Sequence, residues 1–515
     1  MTHTAIIGLD GATFRLIDEY RESLPTLDRL ISDGYSSELL STQPPITSVA
    51  WPAFATGQNP ANYGVFDFMD RDLDAMNFYI NDVRKKEFDF FWEYLDEDIG
   101  IASVPMIPYH ANGGFFVQGS LARINSERVT RPPELNDRIP DEYEYHIDWE
   151  EDNADILDQT LARIESREQL FCDLVSEYDL PLYFLMFSAI DHIQHHFWAY
   201  EDEDHPGYTD SEFSDTMRKV YERVDTALER ILHALPNDTN VILASDHGFC
   251  RRSVDVNINA VLQQEEYLTY SDDSGTKAAN TLHTIKDIIN NSPLYRLVPE
   301  QVKQTAKSQL PSRNDLDNVI EWPETRAYSF GAGGNVYLNV AGREAAGTVP
   351  ISAYEQAREE IATCFESLRE DRAGERVIRN IRFKEEVYSG TDIERAPDIL
   401  LEPTEGYYLT AKFGSTIFSE RTNPMPNSGQ HEPEGIFVAS GPDVRSTERG
   451  DPHHITDVAP TIFRLHGYDV PETMDGTPMS ECLRTDVDDN SKRPHKSESQ
   501  RIRNQVISLK QLGRI

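Results

Sequence analysis

Three apolar stretches of the chain are each followed by side chains that bind divalent cations in proteins. The three groups are Asp10, then Asp191 with His195, and then Asp246 with His247. Carboxylate oxygens and imidazole nitrogens are the ligands of zinc-like cations. An aspartate after a strand is more often a turn former when it stands alone, but three such groups supply ligands for two cations. Two cations about 3.5 to 4 Å apart can hold the attacking and leaving oxygens of a phosphoryl displacement.

The second group has the spacing of a helix face. If a helix begins after the apolar stretch 182–187, Asp191 and His195 are four residues apart and share one side. His192 and His196 then point elsewhere. The alternative is a packed histidine surface beside the aromatic residues 197–198, which the third group makes less convincing.

Two further segments supply a ligand and a nucleophile. His431, in the sequence GQH before another apolar strand, would complete one of the cation sites. Residues 44–57 contain Thr47 and Ser48 where a loop turns into a short apolar helix. A hydroxyl there could be ionised by a metal ion and helped by the positive end of the helix. Both residues are also ordinary helix N-caps, so the local sequence leaves the nucleophile open.

The elements that must position these residues alternate between strands and helices. Apolar runs at 4–9, 182–187 and 241–244 predict strands, and amphipathic patterns at 24–33, closed by Gly34, and at 217–235 predict helices. Alternation of this kind predicts an α/β fold with a mainly parallel central sheet sandwiched by helices.

Other parts of the chain depart from this rhythm. Residues 70–180 give a mixed signal, which we interpret partly as core and partly as loops. We predict one large domain spanning 1–484. Within it, an inserted cap subdomain at about 265–385 is predicted by a polar helical stretch at 281–310 and a strand-like piece at 327–340. The polar tail, 485–515, ends in a short amphipathic pattern that predicts a docking helix, or alternatively an arm that contacts a partner.

The chain of 515 residues is strongly acidic. It has 48 Lys plus Arg against 89 Asp plus Glu, a formal charge of -41 spread over every segment. A cation-seeking surface is one interpretation, but solubility in concentrated salt is favoured and predicts a halophilic source. Such a field repels nucleic acid, so no nucleic-acid partner is expected.

The sequence also carries expectations about location. No targeting segment opens the chain, no apolar run approaches the roughly 20 residues of a membrane span, and four isolated cysteines form neither a zinc spacing nor a disulfide framework. We expect a cytoplasmic protein without a membrane span, and leave an oligomer open.

Taken together, the motifs resemble the alkaline phosphatase superfamily, in its type I phosphodiesterase and nucleotide pyrophosphatase branch. The matching motifs, spread over nearly the whole chain, are IIGLDGAT (6–13), PPITSVAWPAFATG (44–57), DHIQH (191–195), SDHGF (245–249), GQHEPEGIF (429–437) and ITDVAPTIF (455–463). The resemblance implies an alkaline phosphatase-like fold with two metal sites. One site would be formed by Asp191, His195 and His431, and the other by Asp10, Thr47, Asp246 and His247.

The resemblance also implies the mechanism. The nucleophile of such proteins lies ten residues before the glycine that closes the short helix, which selects Thr47 and a covalent phosphothreonine. The implied cofactors are two divalent cations, zinc by default with manganese as the alternative, and the substrate is a small-molecule phosphate ester. Relatives that cleave nucleotides often carry an asparagine where this chain has Ala50, which puts classical nucleotide pyrophosphatase activity in doubt. No C-x-P-x-R setting, as sulfatases need, stands near Thr47.

Several activities remain open on this basis. A phosphodiesterase is the leading hypothesis, followed by a phosphomonoesterase, a phosphotransferase or a phosphomutase of the same superfamily. A phosphomutase would need basic residues in a second domain, for which Arg343 is one isolated candidate. A hypothesis from another class is a non-catalytic metal-binding protein that keeps the fold. The presence of a chemically competent residue at all seven site positions argues against it.

Overall fold

The computed structural model describes most of the chain between residues 3 and 484. The described residues are 3–74, 76–81, 86, 88–108, 113–119, 129–144, 152–271, 319–331, 334–370, 374–424 and 427–484. The strands are β1 (His3–Leu9), β2 (Tyr35–Leu40), β3 (Met69–Asp72), β4 (Asn77–Ile80), β5 (Ile99–Ala102), β6 (Phe116–Val117), β7 (Thr130–Arg131), β8 (Leu182–Phe187), β9 (Thr239–Ala244), β10 (Gly248–Asn257), β11 (Ala327–Ser329), β12 (Asn335–Leu338), β13 (Ile378–Phe383), β14 (Ile399–Pro403), β15 (Gly406–Thr410), β16 (Phe418–Glu420), β17 (Gly429–Glu432), β18 (Glu434–Ser440) and β19 (His453–His454).

Helices connect and cover these strands. The α-helices are α1 (Phe14–Glu19), α2 (Pro25–Asp33), α3 (Thr47–Thr56), α4 (Asn153–Glu177), α5 (Ala189–Glu201), α6 (Thr216–Ala234), α7 (Ile258–Gln264), α8 (Tyr354–Glu366), α9 (Lys384–Val387) and α10 (Val458–Leu465). Among the helices in the described ranges, none combines the length and the apolar character needed to cross a membrane.

Nine strands form the central sheet in the order β19-β2-β18-β9-β1-β8-β5-β6-β7. The run from β9 through β1, β8 and β5 to β6 is parallel, and so is the pair β19 and β2. Strand β18 runs antiparallel to both of its neighbours, and β7 is antiparallel to β6. The prediction of an α/β fold with a mainly parallel central sheet is therefore confirmed.

The two faces of this sheet are covered by different helices because side chains alternate along each strand. Ile7 and Leu185 pack in one hydrophobic cluster with residues of α2, α4, α5 and α6. Ile6 and Phe184 pack in a second cluster with residues of α3 and α10. Because both faces are buried, the central strands β1, β8 and β9 contain continuous apolar runs, which is why they were recognisable in the sequence.

A second unit has a core of its own. Strands β11, β12, β14 and β13 form an antiparallel sheet in that order. Its cluster includes Ile361 of α8 and Ile258 of α7, together with Ile399 and Tyr407, which lie beyond the predicted insertion of about 265–385. The predicted domain boundaries, and the role of this unit as a cap, stay predictions.

Several predicted elements are present with small shifts at their ends. Strands β1, β8 and β9 and helix α6 match the predicted strands and helix. The strand-like piece at 327–340 is in fact two antiparallel strands, β11 and β12. Helix α4 fills 25 residues of the stretch that gave a mixed signal. The predicted helix at 281–310 and the tail at 485–515 lie outside the described residues.

Gly34 ends α2 at the predicted position but for a different reason. Its backbone is extended, with φ at -119° and ψ at -153°, and it is not the left-handed cap that glycine often provides. A Cβ at this position would lie 2.1 Å from the carbonyl oxygen of Ala439 in β18. The residue is glycine because the chain passes directly against a strand of the central sheet.

Candidate metal centre and nucleophile

The predicted site residues meet at the carboxyl ends of the parallel strands. Strands β8, β1 and β9 are neighbours, so the residues that follow them come together at one edge of the sheet. Asp10 follows β1, Asp191 lies in the first turn of α5 after β8, and the pair 246–247 lies between β9 and β10. His431 lies on β17, which pairs with β10, and its partner residue on β10 is Phe249.

One group of side chains surrounds the carboxylate of Asp191. Its Oδ1 lies 3.5 Å from Nε2 of His195 and 3.2 Å from Nε2 of His431. The two histidine Nε2 atoms are 2.9 Å apart. Helix α5 places Asp191 and His195 one turn apart, as the four-residue spacing predicts. These three residues are the ones that the family resemblance assigns to one metal site.

A second group surrounds His247. Its Nε2 lies 3.5 Å from Oδ1 of Asp10 and 3.4 Å from Oδ2 of Asp246. Oγ1 of Thr47 is 3.4 Å from the same nitrogen. His247 is also 3.9 Å from Oδ1 of Asp191, so the two groups are continuous. Ligand atoms of Asp10, Asp246 and His247 lie within 4.8 Å of one another, and so do those of Asp191, His247 and His431.

The three histidines share one arrangement of hydrogen bonds. Nδ1 of each faces a backbone carbonyl: that of Gly429 for His195 at 3.1 Å, that of Gly248 for His247 at 3.1 Å, and that of Pro45 for His431 at 2.9 Å. An imidazole that donates from Nδ1 keeps the lone pair on Nε2. The chain thus presents three Nε2 acceptors to the same small volume.

The pKa shifts of the buried site residues favour the binding of a cation. Burial, together with the carboxylates of Asp246 and Asp191, raises the pKa of Asp10 well above its usual range, and burial raises the pKa of Asp246 to about 7. Burial lowers the pKa of His195 to about 4 and that of His247 well below its usual range, so neither ring is a cation at neutral pH.

Carboxylate oxygens of the same site that accept no hydrogen bond from the described residues support this conclusion. Oδ1 of Asp10, Oδ1 of Asp191 and Oδ2 of Asp246 are buried and accept no hydrogen bond within the described ranges. Buried carboxylates persist when they are paired or coordinate metals. The donor set therefore fits divalent cations.

Thr47 is the first residue of α3 and not its cap. The N-cap position is Ile46, and no side chain caps this helix end. The cap interpretation of Thr47 and Ser48 is therefore wrong. Thr47 directs its hydroxyl towards His247, whereas the Oγ of Ser48 is fully buried and forms no hydrogen bond with the described residues. The local backbone thus separates two hydroxyls that were equivalent in the sequence.

Other histidines near the motifs point elsewhere, as predicted for His192 and His196. Nδ1 of His192 faces the guanidinium of Arg163 at 2.7 Å. His196 is fully buried beside Phe197. His453, which lies close to the last motif, pairs with Glu481 at 2.6 Å and is not directed at the site.

Sequence reasoning missed a positioning contact at the turn after β1. Gly11 has φ at +71°, a left-handed conformation that suits glycine, and its carbonyl accepts a hydrogen bond from Gln194 at 2.7 Å. The hydroxyl of Tyr221 in turn donates to Gln194 at 3.1 Å. The one sequence signal for Gln194 was its position between two candidate ligands on α5.

A mainly parallel sheet between helices, with buried Asp and His groups at its carboxyl ends, is the arrangement of the alkaline phosphatase superfamily. Residues 4–435 match the family described as type I phosphodiesterase / nucleotide pyrophosphatase, and the chain belongs to this family. Members of the family are phosphodiesterase and nucleotide pyrophosphatase enzymes.

Solved structures similar to the chain include two proteins of one type. One is an inactive variant of murine ectonucleotide pyrophosphatase / phosphodiesterase 5 in complex with AMP. It is 13% identical in sequence to this chain, with a TM-score of 0.48, and the match covers 94% of this chain and 100% of the murine chain. The human protein of the same name has 13% identity and a TM-score of 0.49, with the same coverage. No curated protein matches the chain.

Proposed function

We propose that the protein is a phosphodiesterase that uses two divalent cations and Thr47 as its nucleophile. The observation that carries this proposal is the position of the Thr47 hydroxyl, 3.4 Å from Nε2 of His247 and beside a buried group of carboxylates. A hydroxyl at the first position of a helix also lies at its positive end, which favours the alkoxide. Family membership supplies the reaction class.

In this proposal the ligands divide as the family resemblance implies. Asp191, His195 and His431 would hold one cation, and Asp10, Thr47, Asp246 and His247 the other. Bound cations would supply Lewis-acid stabilisation of the attacking and leaving oxygens. A mixed nitrogen and oxygen donor set suits zinc, and manganese is the alternative.

The reaction proceeds in two displacements at phosphorus. Oγ1 of Thr47 loses its proton and bonds to phosphorus as the bond to the leaving alcohol breaks, and that alcohol takes up a proton. Water then breaks the bond between Oγ1 and phosphorus, which releases a phosphate monoester and restores the hydroxyl. The carbonyls of Gly429, Gly248 and Pro45 hold the three histidine rings in place during both steps.

A phosphomutase is disfavoured by one specific contact. Arg343, the isolated candidate for clamping a phosphosugar acid, gives both terminal nitrogens to Asp398 at 2.7 Å and its Nε to Glu344 at 2.9 Å. A guanidinium held in this way has its fork occupied by a buried carboxylate. Phosphomonoesterase and phosphotransferase activities use the same atoms at phosphorus and remain alternatives to be ranked by experiment.

The test compares hydrolysis of bis-p-nitrophenyl phosphate and p-nitrophenyl phosphate in high salt with added zinc or manganese. We expect metal-dependent turnover, faster for the diester, and a loss of at least roughly a thousandfold in Thr47→Ala. Ser48→Ala is the matched control because it removes a neighbouring buried hydroxyl that has no hydrogen-bond partner among the described residues. Equal rates in Thr47→Ala and wild type would sink the assignment of the nucleophile, and a faster monoester would reverse the ranking.

A further inference from the structure

Arg167 is a buried cation that pairs with no carboxylate in the described part of the chain. It lies on α4 and is 7% exposed. Among the described residues, its guanidinium donates two hydrogen bonds and lies 5.3 Å from the ring centroid of Tyr143. Arginine is almost never fully buried unless it is paired. The burial of this cation therefore points to a specific role.

Both hydrogen bonds of Arg167 end on the segment that joins β8 to α5. Its Nη1 donates to the carbonyl of Met186 at 3.1 Å and to Oγ of Ser188 at 3.2 Å. Phe187, between these two acceptors, is the last residue of β8. The carbonyl of Phe187 accepts the backbone N–H of Asp10 at 3.0 Å. Arg167 therefore holds both neighbours of the residue that binds the backbone of a candidate metal ligand.

The same segment begins the helix that carries two more candidate ligands. Ser188 is the N-cap residue of α5, but its side chain does not cap the helix. A serine at this position ordinarily accepts a hydrogen bond from a backbone N–H of the first turn. Here the hydroxyl oxygen accepts from Arg167, which ties the start of α5 to α4. Because Asp191 and His195 follow on α5, a shift of its first turn would move both ligands.

The ring beside the guanidinium belongs to a second buried polar pair. Tyr143 is fully buried, and its hydroxyl is hydrogen-bonded to that of Ser103. Ser103 directly follows β5, the neighbour of β8 in the central sheet. The contacts of Arg167 therefore extend across the carboxyl ends of β5 and β8, the sheet edge at which the candidate metal centre lies.

The charge of Arg167 taken alone predicts the opposite effect on metal binding from its hydrogen bonds. Burial lowers the pKa of Arg167, while Tyr143 and the carboxylate of Asp10 oppose that shift. A guanidinium keeps its proton in proteins, so the positive charge persists. Like charges repel, so its removal would strengthen the binding of a nearby cation. Loss of an anchor for the ligands would weaken it, and the sign of the change separates the two roles.

We propose that Arg167 is a positioning residue of the candidate metal centre. By fixing the junction of β8 and α5, it sets where the ligands Asp191 and His195 lie relative to Asp10. It acts through the two acceptors that flank the last residue of β8. The inference rests on the proposed function for its set of metal ligands, and it requires no particular substrate.

The test measures competition for zinc between the full-length protein and a chromophoric chelator in high salt. We expect Arg167→Met to bind zinc roughly tenfold to a hundredfold more weakly than the wild type, the usual cost of losing a residue that orients metal ligands. Ser188→Ala removes one acceptor and little volume, and it should lower the affinity by about threefold or more. Added to Arg167→Met, it should have almost no further effect, because the two residues form one contact.

Glu168→Gln is the matched control for a loss of stability. Glu168 is the next residue of α4 and is also buried. Its carboxylate lies 2.6 Å from Nη1 of Arg223 and 2.6 Å from Nη1 of Arg230, both on α6 and away from the junction of β8 and α5. Loss of a buried partner destabilises a fold, so this variant should have a lower Tm and an unchanged affinity for zinc.

Three outcomes overturn the proposal. They are unchanged zinc affinity in Arg167→Met, tighter binding in that variant, which would leave only its charge, and an equal loss of affinity in Glu168→Gln. None of these measurements needs turnover. A wild type that binds zinc without hydrolysing phosphate esters contradicts the proposed function and leaves this test intact. An active diesterase whose Arg167→Met variant binds zinc normally contradicts this inference alone.

Discussion

The Nδ1 atoms of three imidazole rings at the site face backbone carbonyls. A carbonyl cannot be removed by a side-chain substitution and does not titrate, so the tautomer with the lone pair on Nε2 is built into the fold. The carboxylates are different, because their charges repel in a buried volume until a cation is present. We therefore expect the charge of the carboxylates, more than the ring orientation, to decide whether the metal ions bind.

Asp191 is the residue at which this expectation is best tested. Its Oδ1 lies within 3.9 Å of the Nε2 atoms of His195, His247 and His431. Asp191→Asn keeps the shape but removes the charge, so the purified variant should retain at least one equivalent less of bound metal after dialysis, measured by elemental analysis. Asp204→Asn, on a side chain that is 85% exposed, is the control. Wild-type metal content in Asp191→Asn would contradict its role as a ligand.

At the scale of elements, the site depends on where helices and strands begin. Helix α3 begins at Thr47 and not one residue later, and this start turns the hydroxyl of Thr47 to His247 while burying that of Ser48. Strand β18 begins just after His431 and runs antiparallel between β2 and β9. At Gly34, the end of α2 lies directly against β18.

Gly34→Ala tests how tightly α2 and β18 are packed. The added Cβ would lie 2.1 Å from the carbonyl oxygen of Ala439, so one of the two elements must shift. We expect a loss of about 1 to 3 kcal/mol in the free energy of unfolding, measured by denaturant titration in high salt. Asp33→Ala, an exposed change at the end of the same helix, should have a much smaller effect. A loss no larger than that of Asp33→Ala would show that the contact relaxes at little cost.

At the scale of the whole molecule, charge is the dominant feature. The net charge of -41 is distributed over the chain, and self-repulsion of this kind disfavours the compact state. Added salt shortens the screening length from about 10 Å at 0.1 M to about 3 Å at 1 M. The stability of the fold should therefore depend on salt concentration more strongly than the contacts within its hydrophobic clusters would indicate.

Thermal unfolding in increasing KCl checks this expectation. The Tm should rise by several degrees between 0.1 M and 2 M KCl, because screening removes repulsion among carboxylates. Sucrose at equal osmolality is the control, since it is excluded from protein surfaces without screening charge. A Tm that responds equally to KCl and sucrose would mean that the acidic composition is not an adaptation to salt.

Local sequence determined much of the fold and the types of the site residues. Strands β1, β8 and β9 are buried on both faces, so they appear as continuous apolar runs, and the ligands directly after them were visible for the same reason. Helix α6 was visible from its amphipathic period. Helix α4 was not recognised, because its buried face includes Arg163, Arg167 and Glu168, polar residues that interrupt an apolar pattern.

Contacts between distant segments determine how these pieces meet. His431 lies 236 residues from His195 in the chain, and their Nε2 atoms come within 2.9 Å because β17 pairs with β10. The difference between the hydroxyls of Thr47 and Ser48 likewise depends on contacts between distant segments. Propensity and periodicity act over one or two turns, whereas these distances are determined by the packing of whole elements, which no local pattern encodes.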